Sequence, residues 1–404
     1  MSQVAGSTVT KRNFSLMAAI LCWSGMMVMS SLYVTIPLIS LFADLYRITP
    51  TQAAAAGSVF SIGFALGCLI YGALSDKYGR KQVIFAGLVA LTLISLLLGM
   101  VDSFFWMVVL RGIQGFAAAS FSPVALAYAV EMFPAEKRVT TIGFISTGFL
   151  VAGILGQVVS GLMSEQYGWN AVFYLLAGVY AVTALLVFRL LPTGEIQRAH
   201  ANIWGSLKQI GGLFSQKNLV LSYIVALVLL MSFVSMYTVL GNYLRGPDFG
   251  LNKEDILYVR SIGVLGMLVS PFSGRLSKRF GVRAVLRGGL LLAVAGLACL
   301  GLFSSLPLLI VTSLIFVAGI AISVPALVSL VGQLGGKARG VAVSMYTFVL
   351  FTGTSLGPVI SIRFMELGSY ALTFVLLALS LSIGLLAAWL IRRETPEEGT
   401  AAAR

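Results

Sequence analysis

The densest chemistry in this chain lies in one ten-residue stretch, GALSDKYGRK at 72–81. Asp76 is followed by Arg80 and Lys81, and Gly72 and Gly79 flank it. A carboxylate there can face the positive N-terminal end of a neighbouring helix. Gly72 permits close approach of a second helix, and Gly79 a tight turn. These residue types suit a mechanical contact better than bond making. The frame returns 202 positions later as GRLSKRFGVR at 274–283, with Lys278 in place of Asp76.

Elsewhere, polar groups are sparse. Arg111 and Arg260 fall inside long apolar runs. An arginine at membrane depth needs a partner, water or an anion. On one reading, one or both face a cavity and attract an anionic or zwitterionic substrate. On the other, Arg111 orders helix packing, while Arg260 snorkels to the surface or pairs with Asp255 or Glu254. Gln114 and Gln157 can hydrogen-bond a ligand or another helix. Trp23, Tyr33, Tyr237, Asn242 and Tyr346 are further cavity candidates. None of the 14 acidic residues sits in the middle of an apolar run, which disfavours a cationic substrate. Cys22, Cys68 and Cys299 stand singly in apolar surroundings and imply neither a disulfide nor a metal site. The chain has no nucleophile–base pair and no phosphate loop, so the sequence argues against an enzyme and against any metal or organic cofactor.

The elements that position these residues are set by composition. Of 404 residues, 58% are hydrophobic and only 10% charged, where soluble domains carry roughly 25% charged residues. Mean hydropathy is +0.97. The solvent is therefore lipid. Crossing ~30 Å of hydrocarbon takes about 20 apolar residues per helix. Twelve runs qualify: 14–42, 52–75, 82–101, 104–130, 139–163, 169–190, 218–243, 255–276, 284–303, 306–334, 340–362 and 369–391. The first is too long for a signal-peptide core and reads as a retained span. With the N-terminus placed inside, the inner segments hold 21 Lys and Arg and the outer segments four, so both termini are expected in the cytoplasm. The net charge of +13 sits in short clusters between spans, a pattern that argues against nucleic acid as a partner.

The long polar stretch 192–217 is read as a cytoplasmic linker. Ile203, Trp204, Leu207 and Ile210 can place a short helix on the membrane surface. It divides two six-span domains, 1–191 and 218–391, and 392–404 is expected to be a disordered cytoplasmic tail. The halves are repeats. Ser122-Pro123 finds Val324-Pro325, Ser31-Leu32-Tyr33 finds Ser235-Met236-Tyr237, and Gly156-Gln157 finds Gly357-Pro358, all at nearly the offset of the glycine-rich motif. Tyr33 and Tyr237 stand out because they occupy equivalent positions. Parallel repeats place a substrate site near mid-membrane between the halves. The expected fold is an all-α membrane protein of twelve transmembrane helices in two pseudo-symmetric bundles.

GALSDKYGRK resembles the loop 2–3 motif G-x-L-a-D-r-x-G-r-k of the major facilitator superfamily, and the altered copy falls in loop 8–9 as that family has it. Arg111 to Gly115 (RGIQG) resembles the family's R-x-x-q-G pattern. The resemblance covers the whole chain and implies alternating access by two rocking bundles. It also implies that Arg80 pairs with Asp76 and with Glu131 at the end of helix 4. Gly72, Asp76, Gly79, Arg80, Lys81 and Glu131 would then form a cytoplasmic latch of the outward-open state. The chain looks most similar to the twelve-helix drug:proton antiporters. Tyr33 to Pro37 (YVTIP) resembles the end of helix 1 in that branch. Residues 152–161, AGILGQVVSG, keep part of its helix 5 pattern G-x-x-x-G-P-x-x-G-G. Gln157 stands where proline is expected. Gly153, Gly156 and Gly161, with Gly353, Gly357 and Pro358 in helix 11, are assigned to close helix crossing.

These readings lead to a monomeric secondary transporter of the bacterial cytoplasmic membrane. Proton-coupled efflux of small amphipathic or anionic compounds is the leading expectation, with the proton gradient as driving force. Uptake or facilitated diffusion of a small polar solute is the alternative, and a non-transporting receptor or scaffold a third.

Overall fold

The structure, a computed structural model, describes residues 13–193 and 211–392. The expected surface helix, most of the linker and the tail lie outside these residues. Within them every regular element is helical. Eleven helices are long and apolar enough to cross a membrane, and a shorter apolar helix, Phe14–Ser30, precedes them. In chain order, α1 is Phe14–Ser30 and resumes at Ile39–Tyr46; α2 is Ala55–Tyr78 and α3 Arg80–Gly99. Helix α4 is Phe104–Ala118 and Ser122–Met132, α5 Ala135–Tyr167 and α6 Trp169–Leu190. The second set is α7 (Lys217–Arg245), α8 (Lys253–Ile262, Val264–Met267 and Ser273–Phe280), α9 (Val282–Leu300), α10 (Leu306–Leu334), α11 (Arg339–Met365) and α12 (Tyr370–Leu390).

Helix is the natural answer to hydrocarbon, because it satisfies backbone N–H and C=O groups within one segment. Leu93, Leu97, Leu185 and Trp389 keep their side chains on the outside, the pattern of a surface wetted by lipid. Three spans expected to be continuous are interrupted. The first breaks over 31–38, which contains Pro37, and the fourth over 119–121, just before Pro123. The eighth is cut into short pieces around Gly263 and Pro271. Proline removes a backbone donor and clashes with the preceding turn. Run length alone carried no sign of these breaks. The repeat partner of Pro123, Pro325, sits inside an unbroken α10.

Packing follows small residues. Helix α5 crosses α1 with Gly148 against the Cys22 carbonyl and Gly156 against that of Ser30; a Cβ on Gly156 would come within 2.7 Å of the latter oxygen. Helix α11 crosses α7 in the equivalent way, with Gly357 against the Met231 carbonyl at 2.8 Å. Gly353 meets Leu227 on the same face, and Pro358 is carried inside α11. Gly153 lies under the Tyr33 ring, where a Cβ would sit at an ordinary 3.5 Å. Gly161 does not belong with the crossing residues, since nothing lies within 4 Å of its would-be Cβ. Ser160 makes the contact there, donating its hydroxyl to the Val34 carbonyl at 2.6 Å.

Gly156→Val should therefore cost roughly 1–3 kcal/mol by overpacking, while Gly161→Val should stay within about 0.5 kcal/mol of the parent. Thermal unfolding of the purified chain in detergent checks the contrast.

Candidate functional site at the seam between the halves

The start of α1 and the ends of α2, α6, α8 and α12 lie at one end of the molecule, here called the basic end. There the main chain turns from α2 into α3 at Gly79, whose φ of +95° lies in the region that favours glycine. The turn swings Arg80 back over the last turn of α2. Its guanidinium is buried, at 9% exposure. It forms an ion pair with Asp76 and a two-pronged one with Glu131, donating from Nη2 to Oε1 at 2.7 Å and from Nε to Oε2 at 3.1 Å. Nη1 donates to the Gly72 carbonyl at 3.2 Å and to the Ser75 hydroxyl. One buried cation thus ties α2, α3 and α4 together.

That cluster abuts the second half. A Cβ on Gly340, in the first turn of α11, would lie 2.6 Å from Asp76 Oδ1 and 2.8 Å from Arg80 Nη2. One turn further along α11, Ser344 fills the notch left by Gly72. Asp76 therefore sits beside the positive end of α11, where a carboxylate is favoured by ~0.3–1 kcal/mol, and by up to ~2 when partly buried. Lys81 does not join the cluster. Its Nζ donates to the Phe188 carbonyl at 2.8 Å and so caps the end of α6.

The other seam repeats the geometry without the charges. Gly274 meets the Thr140 backbone, at 2.6 Å from its nitrogen to a would-be Cβ, and Gly143 meets the Ser270 carbonyl at the same distance. Gly281 turns with a φ of +85°, as Gly79 does. Gly274 follows Gly72 by 202 residues, and Ser344 follows Thr140 by 204. The same offsets relate Asp76 to Lys278 and Gly340 to Glu136, so the second seam carries a base and an acid where the first has an acid and a glycine. No ion pair joins Lys278 and Glu136 among the described residues.

Arg111 is fully enclosed. Nε donates to the Ala56 carbonyl at 3.2 Å and Nη2 to the Ser31 carbonyl at 2.9 Å; Nη1 donates to Gln114 Oε1. The guanidinium lies over the Phe60 ring, 4.4 Å from its centroid. Gln114 Nε2 in turn reaches the Ser95 hydroxyl at 2.9 Å. The Ser31 carbonyl is accessible because α1 breaks there. Arg111 and Gln114 thus crosslink α1, α2, α3 and α4, which is the packing alternative rather than a cavity wall.

Arg260 is different. It is half-buried, and Nη2 donates to the Tyr237 carbonyl at 2.9 Å. Neither Asp255 nor Glu254 pairs with it among the described residues. Its Nε and the Tyr237 hydroxyl are both buried without a hydrogen-bond partner among those residues. Tyr237 lies against Gly263, and the guanidinium lies against Gly241. The remaining candidates are spread out. Tyr346 is fully buried in α11, and its hydroxyl has no hydrogen-bond partner among the described residues. Gln157 and Asn242 bond back to their own helices, at Gly153 and Thr238. Trp23 faces sideways, its Nε1 donating to Thr183 in α6 at 3.1 Å.

The two seams are thus built from one repeat. The family model described as Major Facilitator Superfamily matches residues 21–270 and 248–404. The chain belongs to that superfamily. It is 27% identical over 326 residues to an uncharacterized MFS-type transporter, YybF, of Bacillus subtilis, covering 80% of each chain. It is 26% identical over 301 residues to the multidrug resistance protein MdtG of Citrobacter koseri, covering 70% of this chain and 71% of the relative. The Escherichia coli fucose:proton symporter FucP superposes with a TM-score of 0.76 at 15% identity, over 93% of this chain and 98% of that one. That last likeness is one of fold. As a superfamily member, the chain is a multi-pass secondary transporter of a small molecule, not an enzyme.

Sequence reasoning missed the residues on the far side of each contact: Gly340 and Ser344 against α2, and Thr140 and Gly143 against α8. Their signal was the 204-residue offset between 140 and 344, which lies outside both glycine-rich motifs. Arg111→Lys keeps the charge but loses the planar fork. Leaving carbonyls and Gln114 short of donors should cost roughly 1–3 kcal/mol, seen as a lower melting temperature in a detergent-solubilised sample.

Proposed function

We propose that this chain exports small amphipathic or anionic organic compounds across the bacterial cytoplasmic membrane by alternating access, in exchange for protons. The lysine and arginine count supports placing the basic end, with both termini, in the cytoplasm. The observation that carries the mechanism is the docking of Asp76, Arg80 and Glu131 on the first turn of α11. Among the described residues, bonded contacts between the halves reach up to the Thr147 hydroxyl and Met267 carbonyl, at 3.3 Å, and the Phe64–Phe351 ring pair, at 4.7 Å. Phe64 lies twelve residues before Asp76, or ~18 Å along the helix. The halves are thus bonded from the basic end to about mid-span. This supports a state closed to the cytoplasm and open outward, with the Asp76 cluster as its latch. Rocking to the other state has to draw Asp76 away from Gly340 and part both glycine seams.

For the cargo, Arg260 and Tyr237 are the best-supported pair. An anion between α7 and α8 would satisfy two donors that the protein leaves unpaired, each costing about 1–3 kcal/mol while unmet. Among the described residues no carboxylate lies mid-span to hold a cation. The relation to MdtG favours export of organic compounds over uptake.

Asp76→Asn should lower flux into proteoliposomes at least about tenfold through loss of the latch, with little change in the amount of folded protein; parent-level flux at matched reconstitution would overturn the latch. With an imposed pH gradient, organic anions should accumulate while matched cations do not. Arg260→Ala should cut anion flux by roughly tenfold or more and leave the melting temperature near the parent's. Flux of every tested anion unchanged by that substitution would reject Arg260 as a substrate ligand.

A further inference from the structure

A recess of about 700 Å³ lies at the basic end, where α1 and α5 of the first half meet α8 of the second. Its floor is a stripe of α1 that includes Phe14, Ala18, Ala19, Trp23 and Met26. Phe144 of α5 lines it as well. Its rim carries Glu136, Lys137, Arg275 and Lys278. Three cations against one carboxylate leave a net positive mouth. All four are exposed, and no ion pair joins any of them among the described residues. Lys137 lies 5.0 Å from the Phe14 ring centroid and Arg275 lies 5.3 Å from that of Phe272, so their stems follow the apolar walls while the charges stay at the mouth.

The dimensions set the occupant. From Phe14 to Met26 the stripe rises over twelve residues, or ~18 Å. One leaflet of a ~30 Å core is ~15 Å deep. Charge at the mouth, apolar wall below and a depth of one leaflet describe an amphiphile already resident in the membrane. Trp23, at its deep part, is 40% exposed and turns its indole N–H to Thr183 of α6, a helix of the same half.

We propose that this recess binds an anionic phospholipid of the leaflet at the basic end, with the phosphate between Lys137, Arg275 and Lys278 and one acyl chain along α1 past Trp23. Basic pockets between membrane helices recognise acidic headgroups in this way. The proposal does not depend on what the protein transports or on which side the basic end faces. It also gives the altered motif copy a task, because Lys278 occupies the place of Asp76 at the seam without a latch.

The test uses the full chain in nanodiscs with Trp23 as sole tryptophan (Trp106→Phe, Trp169→Phe, Trp204→Phe, Trp389→Phe). Phosphatidylglycerol with brominated acyl chains should quench Trp23 at about a tenfold lower mole fraction than brominated phosphatidylcholine. Lys137→Gln, Arg275→Gln and Lys278→Gln together should erase that preference, whereas Arg275→Lys with Lys278→Arg should keep it. Ala19→Phe, which fills the groove and leaves the rim intact, should weaken quenching by either lipid. A companion chain with Trp106 as sole tryptophan should show no headgroup preference. Equal quenching of Trp23 by the two lipids, a preference that survives the triple substitution, or the same preference at Trp106 would each overturn the site.

Discussion

A polar group in hydrocarbon must find its partner within the chain, and the two most deeply enclosed arginines meet that constraint most fully. Arg111 takes the carbonyls of Ser31 and Ala56, the amide of Gln114 and the face of Phe60. Arg80 takes two carboxylates, a carbonyl and a hydroxyl. Each crosslinks three or more helices of the first half. These two crosslinks, with crossings that rest on glycine and serine, tie the helices of that half together.

Between the halves the contacts are of another kind. Both seams at the basic end are glycine notches, Gly72 with Ser344 and Gly274 with Thr140. Notches of this type give close backbone approach by dispersion, with little that must be broken in one step. Charge is added to one seam only. Asp76 faces the first turn of α11 because Gly340 has no side chain to hold it off. At the other seam Glu136 and Lys278, with no ion pair between them among the described residues, line the recess between α1, α5 and α8. A duplicated frame has thus acquired two chemistries, a docked carboxylate on one side and a basic mouth on the other.

The second half keeps its arginine less fully satisfied. Arg260 holds one carbonyl and leaves Nε unpaired, with the Tyr237 hydroxyl beside it in the same condition. A half-buried guanidinium in that state is suited to a transient anionic partner. An arginine as saturated as Arg111 is suited to holding helices.

The lipid solvent, the helical class, the repeat and the motif that identifies the superfamily were all legible in the chain before folding. These depend on composition and on spacing along the chain, and both are written in one dimension. Lys81 shows where that reading stops: its neighbours Asp76 and Arg80 join the ion-pair cluster, yet its amine reaches the end of α6. Gly161 matched a crossing pattern and crosses nothing, while Ser160 beside it bonds α1. Arg111 and Arg260 looked alike in their apolar runs, and only the break in α1 at Ser31 gave one of them its second carbonyl. Which face a helix turns to its neighbour, and which carbonyl a proline break frees, depend on packing across hundreds of residues, and tertiary structure alone decided them.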